Sequence, residues 1–309
     1  MARAKDYFED TFRIYPRRLI GTGGMGEVYE AEVQGVEGFS RPAALKLIKE
    51  EFSTNPDFIR YFVQEARLAA LLTHPNIIQV YHFGRTGTRY YLLMEYVEGM
   101  DLQVFIARHR DMKKPVPPEV AVGIISHVLK ALAYANDVPL PDGTRATIVH
   151  SDVSPRNVML SLEGDVKLGD FGIAKAAADS TSSPGSYIGK PEYLSPERIE
   201  EGYTSPAGDI FATALILYEM LTLHHPFYNE DMDRTLENVR YAPIPAPAEI
   251  VSGIHPMLSS IVLTGLARRL DERYADAFQF LDALDELKRR WKIPAPVSLS
   301  DYLDEFLKE

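Results

Sequence analysis

Asp152 and Asn157 stand five positions apart in the run His150-Ser151-Asp152-Val153-Ser154-Pro155-Arg156-Asn157, between a strand-like Ile148-Val149 and an apolar Val158-Met159-Leu160. A carboxylate and an amide held in one braced loop can face a single site, the first accepting a hydroxyl proton and the second binding a cation through oxygen. Asp170-Phe171-Gly172 follows a further apolar run and offers a second carboxylate to the same metal. Two Asx turns would account for these residues separately. That reading loses ground because two other charged residues precede them in a compatible order.

The first is Lys46, which closes the apolar Ala43-Ala44-Leu45-Lys46. An ammonium inside an apolar strand needs an anionic partner. Glu65 is the candidate, since with Leu68, Ala69 and Leu72 it falls at i, i+3, i+4 and i+7 on the inward face of the next helix. Such a pair can hold the lysine against phosphate. Upstream, Gly21-Thr22-Gly23-Gly24-Met25-Gly26 lies between two strand-like runs, whereas a dinucleotide loop needs a helix straight after its last glycine. Glycines here let backbone N–H groups approach phosphate, which a side chain would block.

These groups must be carried by elements, and the periodicity supplies them. Strand patterns run over 12–19, 26–33, 41–48, 77–83 and 89–97, with one helical pattern, 57–72, among them. Beyond Glu98-Gly99 helices dominate, at 118–135, 206–223, 256–270 and 275–291, with a short strand pair, 158–160 and 166–168, around Glu163-Gly164-Asp165. The expected architecture is α+β: a β-rich lobe with one helix (12–97), a larger helical lobe (98–291) and a helical tail (292–309) whose stripe is Leu299, Tyr302, Leu303, Phe306 and Leu307. That stripe is too short to be stable alone, so it is expected to dock.

With 309 residues, 46% of them hydrophobic and 25% charged, the chain can build about two core-bearing lobes. The absence of cysteine excludes disulfides, thiolate metal sites and cysteine nucleophiles. A net charge of −11 opposes non-specific nucleic-acid binding and tolerates basic segments on a protein partner. No apolar run is expected to reach the ~18 residues of a membrane span, and the first residues do not read as a signal sequence. The expectation is a soluble, cytoplasmic molecule.

The glycine loop, strand lysine, catalytic-type loop and Asp-Phe-Gly together resemble the Hanks-type (eukaryotic-like) bacterial serine/threonine protein kinase family, over roughly Arg13 to Trp291. The resemblance implies a two-lobed fold with ATP in the cleft and a protein as substrate. It assigns Gly21, Gly23 and Gly26 to cover the phosphates, Lys46 to the α- and β-phosphates with Glu65 as its partner, Asp152 as base, and Asn157 and Asp170 as Mg²⁺ ligands. It further implies Met94 as gatekeeper, Glu95 and Val97 as hinge backbone for adenine, Val28, Ala44 and Met159 around the ring, and Asp101 on the ribose. Ser195-Pro196-Glu197, Arg273 and Asp209 resemble the family's structural Ala-Pro-Glu motif, its arginine partner and its helix aspartate.

Three positions depart from the family pattern. Ser151 replaces the arginine that reads activation-loop phosphate, so phosphorylation at Ser180, Thr181, Ser182, Ser183 or Ser186 is expected to change activity little. Ser154 replaces the catalytic-loop lysine, and Lys190 the threonine that normally meets it. The two have exchanged chemistry, and Lys190 is expected to return the positive charge to the transferring phosphate, with Arg156 as rival. The segment 193–197 favours serine/threonine over tyrosine specificity, while Arg156 keeps tyrosine open. A pseudokinase scaffold and a small-molecule phosphotransferase are the alternatives; all five of Lys46, Glu65, Asp152, Asn157 and Asp170 being present opposes the former, and the segment from Asp170 to Glu197 the latter. The 136–147 stretch reads as a surface insertion with a turn at Asp142-Gly143, and the oligomeric state is left open, dimerisation included.

Overall fold

The computed structural model describes residues 12–23, 26–140, 142–171, 191–291 and 298–308, which fall into two compact units. The smaller comprises the described residues up to Ala66 together with Gln79–Tyr96; the larger comprises Arg67–Ile78 and the chain from Val97 onward. Residues 67–78 join the larger unit because Leu72 and Ile77 bury in its core and Ile78 N–H donates to Leu168 O at 3.0 Å.

The smaller unit is an antiparallel sheet in the order β1-β2-β3-β5-β4, built from β1 (Arg13–Thr22), β2 (Gly26–Gln34), β3 (Ser40–Ile48), β4 (Val80–Thr86) and β5 (Arg89–Met94). Alternation along the strands sorts side chains onto two faces. Ala31, Val33, Ala43, Leu45 and Leu93 form an apolar cluster on one. The register sets Val28 opposite Lys46, Lys46 opposite Leu92 and Ala44 opposite Met94, so these residues share the other face. The helix α1 (Pro56–Ala69) supplies buried Tyr61, Phe62, Glu65 and Ala66.

In the larger unit β6 (Gly99–Asp101) leads into α2 (Leu102–Met112), whose first turn Asp101 caps by accepting from Val104 N–H at 2.8 Å. There follow α3 (Pro118–Ala135), the two-residue strands β7 (Val138–Pro139) and β8 (Arg145–Ala146), β9 (Val158–Ser161) and β10 (Val166–Leu168). The remaining helices are α4 (Pro196–Glu201), α5 (Pro206–Thr222), α6 (Met232–Tyr241), α7 (Pro247–Ile250), α8 (Pro256–Gly265), α9 (Ala277–Trp291) and α10 (Leu299–Phe306). The short sheets run β10-β9-β6 and β7-β8, the latter forming the 136–147 insertion, with Gly143 at φ 84 in its turn.

Helices α3 and α5 pack on each other, with α8 and α9 beside them, around fully buried Ile124, Ile125, Phe211, Tyr218, Phe227 and Phe280. Among the described residues α3 alone is long and apolar enough to cross a membrane by length and composition. Two thirds of it is buried inside the larger unit, with 67% coverage, and it serves there as a core helix. The tail also reaches this core. Leu303 and Phe306 of α10 are buried, the Phe306 ring lies 4.9 Å from that of Phe105 and 4.6 Å from that of His109, and Tyr302 O–H donates to His109 Nε2 at 3.2 Å.

Candidate active site

The smaller unit presents a cation held by an anion. Lys46 Nζ donates to Glu65 Oε1 at 2.7 Å, and each side chain is 12% exposed. Its sheet face also carries Val28, Ala44 and Met94, apolar at the positions beside the lysine. The three resembling glycines are not equivalent. A Cβ on Gly26 would lie 2.9 Å from Leu47 O, so β2–β3 pairing itself demands glycine there. Gly21 and Gly23 have room for a Cβ, and neither has the positive φ that favours glycine. Nothing among the described residues requires their bareness. Glu95 N–H is engaged with Gln79 O at 2.8 Å.

The larger unit presents a loop whose groups are tied one to another. Asn157 Nδ2 donates to Asp152 O at 2.7 Å and to Asp152 Oδ2 at 2.9 Å. Both bonds use the amide nitrogen, so Oδ1 is the atom left to meet a cation. Gly169 links this loop to Asp170: its N–H donates to Asn157 O at 2.8 Å and its carbonyl accepts from His150 Nε2 at 3.0 Å. His150 Nδ1 accepts from Asp152 N–H at 3.2 Å, which fixes the neutral tautomer carrying its proton on Nε2. The Phe171 ring packs 4.5 Å from His150, and exposed Asp170 sits at φ 52.

Beneath the loop, buried Asp209 of α5 accepts His150 N–H on Oδ2 and Ser151 N–H on Oδ1, both at 2.8 Å. Burial pushes its carboxyl up to about 7, against the opposing pull of those two N–H groups and of the Arg198 guanidinium. Ser151 has φ 65, a conformation a serine adopts only when its surroundings hold it. Arg273 makes a two-pronged, buried pair with Glu197, Nη1 to Oε1 at 2.9 Å and Nη2 to Oε2 at 3.1 Å, and also donates to Ala207 O at 2.9 Å. This ties α4 to the start of α5.

A profile of the protein kinase domain matches residues 15–279. The chain belongs to the protein kinase family. Among similar proteins are the tyrosine-protein kinase MasK of Myxococcus xanthus, 34% identical over 269 residues, and the serine/threonine-protein kinase PknL of Mycobacterium tuberculosis, 33% over 284. The alignments take in 87% and 90% of this kinase domain but 42% and 67% of those relatives, so it spans from about two fifths to two thirds of their length. The PknI kinase domain of Mycobacterium tuberculosis superposes with a TM-score of 0.63 at 27% identity, covering 93% of this chain and 99% of that one. The expected family and two-lobe class of fold, β-rich then helical, are those of these relatives.

Of the residues read from sequence, the kinase domain joins Lys46 to Glu65 in one unit and Asp152, Asn157 and the Asp170 segment in the other. Asp101 spends one carboxylate oxygen on its helix cap, and Met159 lies opposite it across β6–β9. Val97 begins the larger unit's second segment. Ser154 is buried, and Arg156 donates to Gln103 Oε1 at 2.7 Å on the surface. Lys190, Gly172 and the serines and threonine of 180–186 lie outside the described residues. Arg198 escaped the sequence reading, because Glu197-Arg198-Ile199-Glu200-Glu201 looks like a solvated helix face; it is 6% exposed.

Proposed function

We propose that this kinase domain transfers the γ-phosphoryl group of Mg-ATP to serine or threonine hydroxyls of a protein. The observation that carries the reading is the Asn157 amide nitrogen bonded to the Asp152 carboxylate at 2.9 Å, which orients a base and turns an amide oxygen outward in one stroke. Asp152 accepts the substrate hydroxyl proton as that oxygen bonds to the γ-phosphorus and the bond to the β–γ bridging oxygen breaks, releasing ADP. Lys46, held by Glu65, neutralises the α- and β-phosphates, and Gly21 and Gly23 admit backbone N–H groups to them. Asn157 and Asp170 would hold Mg²⁺, which would supply charge neutralisation at the phosphates; two protein ligands are in keeping with how sparingly this ion uses protein groups.

Adenine is read by the Glu95 carbonyl and the Val97 amide between Val28, Ala44 and Met159, with ribose on the free side of Asp101. Lys190 restores at the transferring phosphate the charge that Ser154 lacks; Arg156, engaged with Gln103, is the poorer source. Dependence on ATP argues for the cytoplasmic compartment. Because Ser151 cannot pair with phosphate, the activity is expected to stand without activation-segment phosphorylation. A tyrosine substrate is the second reading, favoured by the similarity to the tyrosine-protein kinase MasK.

Incubation of the pure chain with labelled ATP and Mg²⁺, followed by mass spectrometric mapping, tests all of this. Phosphoserine or phosphothreonine is expected. Phosphotyrosine alone would transfer the assignment to the second reading, and nucleotide binding without any transfer would make the domain a pseudokinase scaffold.

A further inference from the structure

The residue before the base is gripped from both sides. Ser151 N–H donates to Asp209 at 2.8 Å, while Ser151 O accepts from Arg198 Nη1. Left-handed backbone costs a serine on the order of 1 kcal/mol, a cost that the two grips offset at φ 65. The two holding groups differ in rigidity. Asp209 is part of the first turn of α5. Arg198 rides on α4, a helix of 6 residues that is anchored by its neighbour Glu197 through the two-pronged pair with Arg273.

A buried guanidinium is costly, and its retention calls for an anion and for acceptors that use it. Asp209, which accepts the Ser151 N–H, lies close enough for Arg198 to pull its carboxyl down against the larger upward push of burial. The acceptor is a carbonyl one peptide unit away from Asp152. A small cavity of about 30 Å³ opens among Ser151, Asp152, Arg198, Ser205 and Asp209, with Val153 and Leu194 of the apolar core also on its wall.

We propose that Arg198 is a positioning residue for Asp152: its guanidinium, fixed in α4, holds the Ser151 carbonyl and thereby sets the direction in which the base is presented. The inference rests on the phosphoryl-transfer reading above. The effect of Arg198 falls on the geometry of proton acceptance, where a displacement of ~1 Å can cost on the order of 100-fold.

The test compares Arg198→Met, Arg198→Gln and Arg198→Lys in the full chain by steady-state kinetics, thermal unfolding and amide hydrogen exchange at residues 150–152. Arg198→Met is expected to lower kcat about 10- to 100-fold, leave the ATP KM within about threefold, and speed exchange at Ser151 and Asp152. Arg198→Lys should recover part of the rate. Glutamine keeps a donor in nearly the same space without the charge, so it decides the matter if the methionine variant does not fold: reduced kcat at near-native Tm supports the role. Wild-type kcat in the methionine or glutamine variant overturns it, as does a loss of rate that only tracks Tm and ATP KM with no recovery by lysine. An inactive wild-type chain removes the kinase reading and this inference together, whereas an active wild type with indifferent variants removes the inference alone.

Discussion

Lys46 Nζ lies 2.7 Å from Glu65 Oε1 across the gap between β3 and α1, and the pair sits mostly out of water. Removing one partner of such a pair leaves the other charge buried and uncompensated, which costs more than the pair's own Coulomb energy. Glu65→Ala is expected to lower stability by about 3 kcal/mol and to slow phosphoryl transfer, with Glu65→Gln intermediate. Chemical denaturation and an ATP-transfer assay on the same preparations check it; an alanine variant as stable and active as wild type would dissolve the role given to the pair.

Asp152 and Asp170 should separate binding from chemistry. Asp152→Asn is expected to abolish transfer while leaving nucleotide affinity nearly intact, since only the proton acceptor is lost. Asp170→Ala is expected to abolish transfer and to weaken Mg²⁺-dependent ATP binding. Calorimetric titration with ATP, with and without Mg²⁺, distinguishes them, and wild-type turnover in either variant removes the mechanism.

The exchange between positions 154 and 190 predicts a paired result. Lys190→Thr should lower kcat by roughly 10- to 1000-fold, with a smaller change in ATP affinity. Ser154→Lys in the same chain should restore part of that rate, limited by the burial of position 154. A harmless Lys190→Thr, or a double variant no faster than the single, would leave the exchange unsupported and turn attention to Arg156.

The tail helix is a stability element. Phe306 is 6% exposed and meets the rings of Phe105 and His109, so Phe306→Ala should cost about 3 kcal/mol, the scale of an emptied aromatic site. Denaturant titration reads this directly. An unchanged midpoint would mean that α10 leaves the surface readily in solution.

Asp209 gives stability a pH signature. Its folded carboxyl is raised from 3.8 to about 7, so between those values the folded chain holds a proton that the unfolded chain has released. Its contribution is therefore fully present below the lower value and is lost as pH rises through the upper one. The Tm of wild type relative to Asp209→Asn should fall as pH is raised from about 5 to about 8. A difference that stays flat, or grows with pH, contradicts the assigned shift.

Much of this arrangement was legible because it is local or periodic. Lys46 needed a partner, and helical spacing pointed to Glu65; Asp152 and Asn157 shared one loop. What escaped depended on tertiary context. Helices Leu102–Met112 and Met232–Tyr241 were not singled out, the second burying only Thr235, Leu236 and Val239 among charged neighbours. Residues 67–78 read as part of the first lobe, since no local signal shows that Leu72 and Ile77 bury with distant helices. Arg198 is surrounded by glutamates in the chain and by a loop in space.

The bonds that fix the catalytic loop at positions 151 and 154 run through main-chain atoms: Ser151 N and O, and Ser154 O with Asn157 N. The hydroxyl at 151 is thus uncoupled from the seat of Asp152, which leaves latitude for other side chains there, whereas buried position 154 admits only a small one without disturbing its surroundings. The latitude has a boundary at 151, where φ 65 is resisted by β-branched residues, so valine, isoleucine and threonine are the replacements that drift should avoid.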